Sequence, residues 1–549
     1  MRTNILQTLP RLPIKFTLLT AVFFNLLAWQ LIIPIWHFPD EQAHFGQVAF
    51  RAEHGRVQRY HELSTNREIV ISEEILGTKR DGLGNNNFTY HPEYKIPYSI
   101  NLDGLNEYQI EQLNNSRERR TEVLEEATRY PLLYYYLASK IYNLFGAGDL
   151  FTRVYAVRFF SILIFIATTL IIFATSKLVF SKNFFLQISL TSIVAFLPMY
   201  VFASSGVSSD GLFNLLFALS IYLIAKNLFV KWNLKNTVFL AVIIIAGIAT
   251  KIQFQIIWLL ILYALFVIFL RFQLSRKLIF LGSIALAFPI ILIVINFLYF
   301  VTNDYGSPQL RQLIRLPIIP ETSAGSTLSP IAQMTLTSHF ILTVKRTLSE
   351  TLPWYFGVYK WLSLTLPPFI YQIINRILVL SLLGILVSIF KVIRQQKFDQ
   401  QTKVLIFLAY SAVSYFGALT LFDWLFYKYH GFYFGIQGRY FFPTIIAHIG
   451  LVFVGLLTLS PESFKKWAAT ILVIATIIFN YFSLFWIASH YYDTSSINTF
   501  ILQASQYKPE IFKGSAFVLI LLFSLIFMSF FLIDYLKMVA RIRTNLKTV

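Results

Sequence analysis

Apolar residues fill this 549-residue chain in long unbroken runs rather than in the three-to-four-residue rhythm of a soluble helix. A membrane-crossing helix needs ~20 mostly apolar residues. About twelve stretches meet that, near 14–36, 155–176, 184–203, 211–230, 237–252, 254–270, 278–301, 369–390, 404–424, 440–459, 467–489 and 514–536. One polar insertion, 37–150, separates the first run from the second, and another long connection covers 302–368. Within the first insertion, the segment from Tyr130-Pro131 to Lys140 is apolar and aromatic but too short to span. It predicts an interfacial or re-entrant helix with Tyr134 to Tyr136 at headgroup depth. The part from 59 to 128 reads as solvated helix and loop. The expected fold is an all-α polytopic membrane protein of about twelve transmembrane helices, with a large first loop bearing interfacial helices.

Composition agrees: 13% of residues are charged and 17% aromatic. The formal charge of +19 would suggest a nucleic-acid partner if it formed one patch. It does not. Residues 37–150 hold 17 acids and 12 bases, a net of −5, and the excess base is strung between the apolar runs. Alternate short connections, with both termini, hold 21 bases against Asp399, Glu462 and Asp534. By the positive-inside rule that face is cytoplasmic, both termini included, and 37–150 and 302–368 are expected on the outer face of the membrane. The first run is too long for a signal peptide and lacks a small-residue cleavage site, so it is expected to remain as an anchor. There is no cysteine, which excludes disulfides, thiolate metal sites and a cysteine nucleophile. No P-loop or Rossmann fingerprint occurs, so an activated substrate is expected to arrive through the membrane.

Candidate chemistry gathers on the expected outer face. Directly after the first run stands His37-Phe-Pro-Asp40-Glu41-Gln-Ala-His44. Adjacent carboxylates at a membrane surface call for a cation or a proton to take, and Pro39 favours a helix opening there with Asp40 and His44 facing one way. The competing reading is an interfacial helix whose acids complement its dipole. A second acid, Asp210, opens the run at 211 and doubles as an ordinary N-cap candidate. Arg439 in Gln437-Gly438-Arg439-Tyr440, with Lys428 just before it, suits a phosphate. Arg153, Arg158, Lys251, Lys360 and Arg376 fall near outer helix ends, where snorkelling to headgroups is the ordinary explanation. The stretch from Glu350 to Pro368, with Trp354, Tyr355 and Trp361, reads as an aromatic platform for a lipid or a sugar face, or as a plain aromatic belt.

These pieces in this order resemble the GT-C glycosyltransferases, which include the protein O-mannosyltransferases and the lipid A aminoarabinose transferase. Pro39-Asp40-Glu41 with His44, Ser209-Asp210, Trp354 to Pro368 and Gln437 to Tyr440 look closer to a prokaryotic family of membrane proteins of uncharacterised activity assigned to that fold. The likeness runs over about 14–460. Gln42 stands where that family often has proline, and Tyr130-Pro131 where GT-C members often have two. The resemblance implies a catalytic module over 1–460, with 461–549 as further helices and a basic tail. It also implies transfer of a sugar from a polyprenyl-phosphate donor to an acceptor hydroxyl on a glycan, lipid or protein at the outer face, with inversion. Phosphate is a good leaving group, so one base and some positive charge suffice. Asp40 is assigned as that base, with Glu41 and Asp210 orienting it or sharing the work. Arg439, Lys428 and His44 would hold the phosphate, and Trp354, Tyr355, Trp361 and Tyr440 the lipid or sugar. No cofactor is required; a Mg or Mn ion on Asp40, His44 and Asp210 is the open alternative.

Three other readings compete: a second kind of enzyme, a transporter and a non-catalytic scaffold. An O-antigen ligase or polymerase uses a later large loop. A transporter or flippase of lipid-linked sugars places ionisable groups at mid-membrane on broken helices, often in two related halves, and no internal repeat is visible.

Overall fold

The structure is a computed structural model describing residues 13–271 and 335–545, apart from 59–61, 63, 81–85, 87, 88, 90, 92, 95, 97, 99–104, 114–117, 121–125, 397, 431 and 432. The first described helices are α1 (Ile14–Ile32), α2 (Glu41–His54), α3 (Arg67–Leu76), α4 (Leu105–Glu111) and α5 (Leu133–Leu144). Next come α6 (Leu150–Val179), α7 (Phe184–Ala195), α8 (Pro198–Ser205), α9 (Ser209–Phe229), α10 (Leu234–Ile248) and α11 (Ile257–Arg271). The remainder are α12 (Leu336–Arg346), α13 (Leu352–Phe356), α14 (Pro368–Gln395), α15 (Gln400–His430), α16 (Ile445–Leu459), α17 (Lys465–Tyr491), α18 (Ile497–Ser505) and α19 (Gly514–Asn545). Two antiparallel pairs of two-residue strands, Thr65–Asn66 with Arg119–Arg120 and Val358–Tyr359 with Leu364–Thr365, pin the loops. The chain is an all-α polytopic membrane protein.

Nine helices among the described residues are long and apolar enough to cross a membrane, or ten if one bent pair counts as a span. They match nine of the twelve expected runs, and two of the remaining three differ. The run at 278–301 lies outside the described residues. The run at 184–203 is broken into α7 and α8, bent by 59°. Pro198 opens the second half, since it lacks the N–H that would continue the first. The run at 237–252 is helical for only 15 residues, about 22 Å against the ~30 Å of a bilayer core. The Phe254 ring lies where a side chain on Gly247 would sit, 2.3 Å from its Cβ position, so the chain turns early and leaves Lys251 at the end of the bundle.

The last helix lies along the first: Phe24 stacks on Phe527 with ring centroids 4.6 Å apart. Trp29 of α1 donates to Asn480 of α17 at 3.2 Å, and Asn480 donates on to the Phe196 carbonyl freed at the α7–α8 break. Helices α14 and α16 meet backbone to backbone, because a Cβ on Gly384 would stand 1.9 Å from the Gly455 carbonyl oxygen.

The first loop is bolted to the spans by buried ion pairs. Arg158 of α6 is fully buried and donates to both carboxylate oxygens of Glu41 at 2.8 and 2.6 Å. It also donates to the carbonyls of Gln30, Ile33 and Pro34, taking up the orphan acceptors at the end of α1. Arg153 pairs with Glu68 at 2.7 Å, both 1% exposed. Lys251 and Lys360 are buried too, so of the five bases expected to snorkel only Arg376 is exposed. Helix α5 departs from expectation in the same way. Tyr134 and Tyr135 are wholly buried between α2 and α6, and only Tyr136 is exposed.

Candidate active site

The acidic motifs converge because two chain segments can touch. The Phe38 side chain occupies the space a Cβ on Gly206 would need, 2.3 Å away, so the turn before Asp40 nests against the turn before Asp210. Asp40 itself adopts the left-handed conformation (φ 55°) at the mouth of α2 and makes no capping hydrogen bond. Aspartate tolerates that region better than most residues, and the geometry aims its carboxylate away from the helix. The N-cap of α9 is Ser208, whose hydroxyl accepts from the Asp210 N–H at 3.2 Å. Asp210 is therefore not spent as a cap.

Between the two acids stands Arg439, in the turn of helix Gly438–Thr444 ahead of α16. Its Nη2 donates to Asp40 Oδ2 at 2.7 Å, its Nη1 lies 3.9 Å from Asp210 Oδ2, and its Nε donates to Gln437 Oε1 at 2.9 Å. Gly438 permits this, since a Cβ there would stand 2.2 Å from the Tyr355 nitrogen. Asp210 Oδ1 is held in turn by Lys251 Nζ, which sits over the Tyr130 ring at 4.7 Å. The result is an alternating row, Asp40, Arg439, Asp210, Lys251, of which Arg439, Asp210 and Lys251, with Tyr440, line a small cavity of about 40 Å³. Asp40 is the row's most exposed member, with 29% of its side chain open. Burial pushes the Asp40 pKa up, but the Arg439 charge and hydrogen bond, with His44 beyond, outweigh this and hold it below the ordinary carboxylate value.

His44 backs Asp40 without joining the row. Its Nδ1 meets the Tyr135 hydroxyl at 2.8 Å, its Nε2 lies 3.4 Å from Ser208 Oγ, and its ring stacks on Tyr130. Burial, only partly opposed by Asp40, lowers its pKa to about 4. At neutral pH it therefore offers a hydrogen bond and no charge. The linkage has a definite sign. Between pH ~6.5 and ~4 the unfolded chain binds a proton that folded His44 refuses, so stability is complete above ~6.5 and falls by up to about 3 kcal/mol toward pH 4. Depressed Asp40 acts in the same direction at lower pH. The apparent melting temperature should hold from pH 8 to 7 and drop below 6.5, with a shallower acid limb in His44→Gln.

The other expected residues divide. Glu41 is not brought to the row; it turns inward to Arg158 and accepts from the Trp36 N–H at 3.0 Å. Tyr355 is buried against Phe442 and His448, and Trp361 donates to the Trp36 carbonyl at 3.0 Å. Trp354 and Tyr440 line separate cavities, so the four aromatics form no single platform. The side chain of Lys428 lies outside the described residues. Among the described residues no three His, Asp or Glu side chains are arranged to hold a metal ion. The carboxylates of Asp40 and Asp210 face Arg439 and Lys251 instead of one another. Lys251 and Tyr130 were not assigned to the site by sequence. The signals were the place of Lys251 near an outer helix end between two apolar runs and that of Tyr130 at the head of the Tyr130-Pro131 segment.

Fold and site together define a multi-pass membrane protein with a charged cleft where α2, α9 and the turn before α16 meet. The chain belongs to the family described as "Predicted membrane protein (DUF2142)", whose model matches residues 23–448. No curated protein matches it in sequence. Among solved structures it is similar to ArnT from Cupriavidus metallidurans in the apo state, at 12% identity and TM-score 0.40, over 82% of this chain and 61% of that one. The chain thus spans about three fifths of that relative's length. It is also similar to ArnT from the same organism bound to undecaprenyl phosphate, at 12% identity and TM-score 0.38, over 88% of this chain and 76% of that one.

Proposed function

We propose that the chain is a glycosyltransferase moving a sugar from a polyprenyl-phosphate donor to an acceptor hydroxyl, with inversion, at the end of the bundle that bears Asp40. The observation that carries this is the row Asp40, Arg439, Asp210, Lys251 at a cleft between helix ends. Paired to one another the four groups balance. An incoming phosphate competes for Arg439 and Lys251, since a guanidinium and an ammonium serve an anion better when they converge. Losing Arg439 leaves Asp40 less stabilised as an anion, and its pKa climbs back toward the ordinary range. Donor binding thereby turns a weak base into a competent one. The acceptor oxygen then attacks the anomeric carbon as Asp40 takes its proton. The bond to the phosphate oxygen breaks, and the electron pair leaves with the phosphate against Arg439 and Lys251. Glu41, on this reading, fixes the backbone from which Asp40 projects.

The test uses full-length protein in proteoliposomes with polyprenyl-phosphate hexoses and pentoses, following release of polyprenyl phosphate. Turnover of at least one donor is expected. Arg439→Gln should weaken donor binding on the order of 10²-fold, because it removes the charge that the phosphate takes over. Donor binding that is unchanged in this variant would remove the phosphate from this site. Among the described residues the broken α7–α8 pair favours a transporter of lipid-linked sugars; flux of intact donor without released polyprenyl phosphate would establish that reading instead.

A further inference from the structure

A second and much larger cavity, about 450 Å³, opens beside the charged row, within the range that holds a small-molecule ligand. Its wall is chemically unlike the first. Arg346, Thr347, Glu350 and Gln437 present polar groups, Asp423 closes one side, and Trp354 supplies an aromatic face. Arg346 is fixed by two contacts, Glu350 at 3.5 Å and the Tyr433 ring at 4.8 Å. Asp423 is occupied in shaping the wall: one oxygen accepts from the Phe434 N–H at 2.9 Å and the other lies 3.2 Å from His339 Nε2. Both signs of charge are present, two carboxylates to one guanidinium, which disfavours a strongly anionic occupant.

Mixed donors and acceptors around an aromatic face match one chemical class well. A pyranose ring offers C–H faces to an indole and hydroxyls that both donate and accept, which suits guanidinium, carboxylate and amide together. The cavity also has the right neighbour. Phe434 lines both cavities, and Gln437, which faces the larger one, accepts a hydrogen bond from Arg439. An occupant touching Gln437 lies one side chain from the row that holds Asp40.

We propose that this cavity binds a neutral pyranose unit of the acceptor glycan and presents its hydroxyl toward Asp40. Its role as an acceptor site rests on the glycosyltransferase reading; the binding itself does not. Saturation-transfer difference NMR tests it, using the full chain in lipid nanodiscs with the methyl pyranosides of glucose, galactose and mannose as probes. Saturation should reach the ring C–H protons of at least one glycoside. Trp354→Ala and Arg346→Gln should each weaken that binding roughly fivefold or more, with Trp354→Phe retaining part of it. Arg346 is only half-buried, so its variant serves where loss of Trp354 perturbs folding. No saturation on any of the three glycosides, or saturation indifferent to both Trp354→Ala and Arg346→Gln, overturns the proposal. Glycoside binding that persists while Asp40→Asn turns over normally would leave the cavity standing and remove the transferase mechanism.

Discussion

Asp40→Asn is expected to lower sugar transfer by about 10²–10⁴-fold in kcat while leaving the protein folded, because a positioned general base contributes that much. The substitution is unusually clean at this position. Asparagine tolerates the left-handed conformation that Asp40 adopts, and its amide oxygen still accepts from Arg439, so backbone and contact both survive. What it loses is the capacity to take a proton. Donor affinity should change little or tighten, since Arg439 is no longer committed to a carboxylate. Steady-state turnover and donor binding measured on one preparation separate the two effects, and undiminished kcat would remove Asp40 as the base. Asp40→Ala should do more damage, because alanine in the left-handed region costs roughly 1–2 kcal/mol.

Arg158→Met should produce the opposite phenotype, a loss of stability of about 3–5 kcal/mol. Glu41 and Arg158 are both fully buried, so removing the arginine strands a carboxylate with only the Trp36 and Val207 N–H groups for company. It also takes the donor from the Ile33 carbonyl and one of two donors from each of the Gln30 and Pro34 carbonyls, which keep the Tyr155 hydroxyl and the His37 N–H. The double variant Glu41→Gln/Arg158→Met should recover part of the loss, since no unpaired charge remains. Equilibrium unfolding by SDS titration measures both. Arg439→Gln in the same assay should cost much less, because Asp40 keeps access to solvent. Two arginines that look alike in sequence, each near a helix end, should thus separate into one that holds the fold and one that holds the charged row. Equal destabilisation by both variants would contradict that separation.

The membrane class and nine of the spans were legible from the chain, because a bilayer imposes a length and polarity requirement that each helix meets locally. The break at Pro198 was written in the sequence, yet the run around it was long enough to pass as one helix. The early end of α10 was not written there: it follows from the Phe254 ring packing on Gly247, a contact between residues on two elements.

At the site, the sequence by itself determined that acids after the first run, an acid before the fourth and an arginine late in the chain shared one end of the bundle. Charge distribution and helix order suffice for that. Only the tertiary structure decided which of them meet. Asp40 and Glu41 are adjacent in sequence but diverge, because the left-handed turn at Asp40 sends one carboxylate to Arg439 and the first turn of α2 sends the other to Arg158. Lys251 joins Asp210, and Trp354 and Tyr355 part company, for the same reason. Adjacency along a chain fixes composition at a place, whereas the direction of each side chain is set by backbone angles and by what packs from elsewhere. A polar group in a low-dielectric bundle takes whichever partner that packing brings within reach.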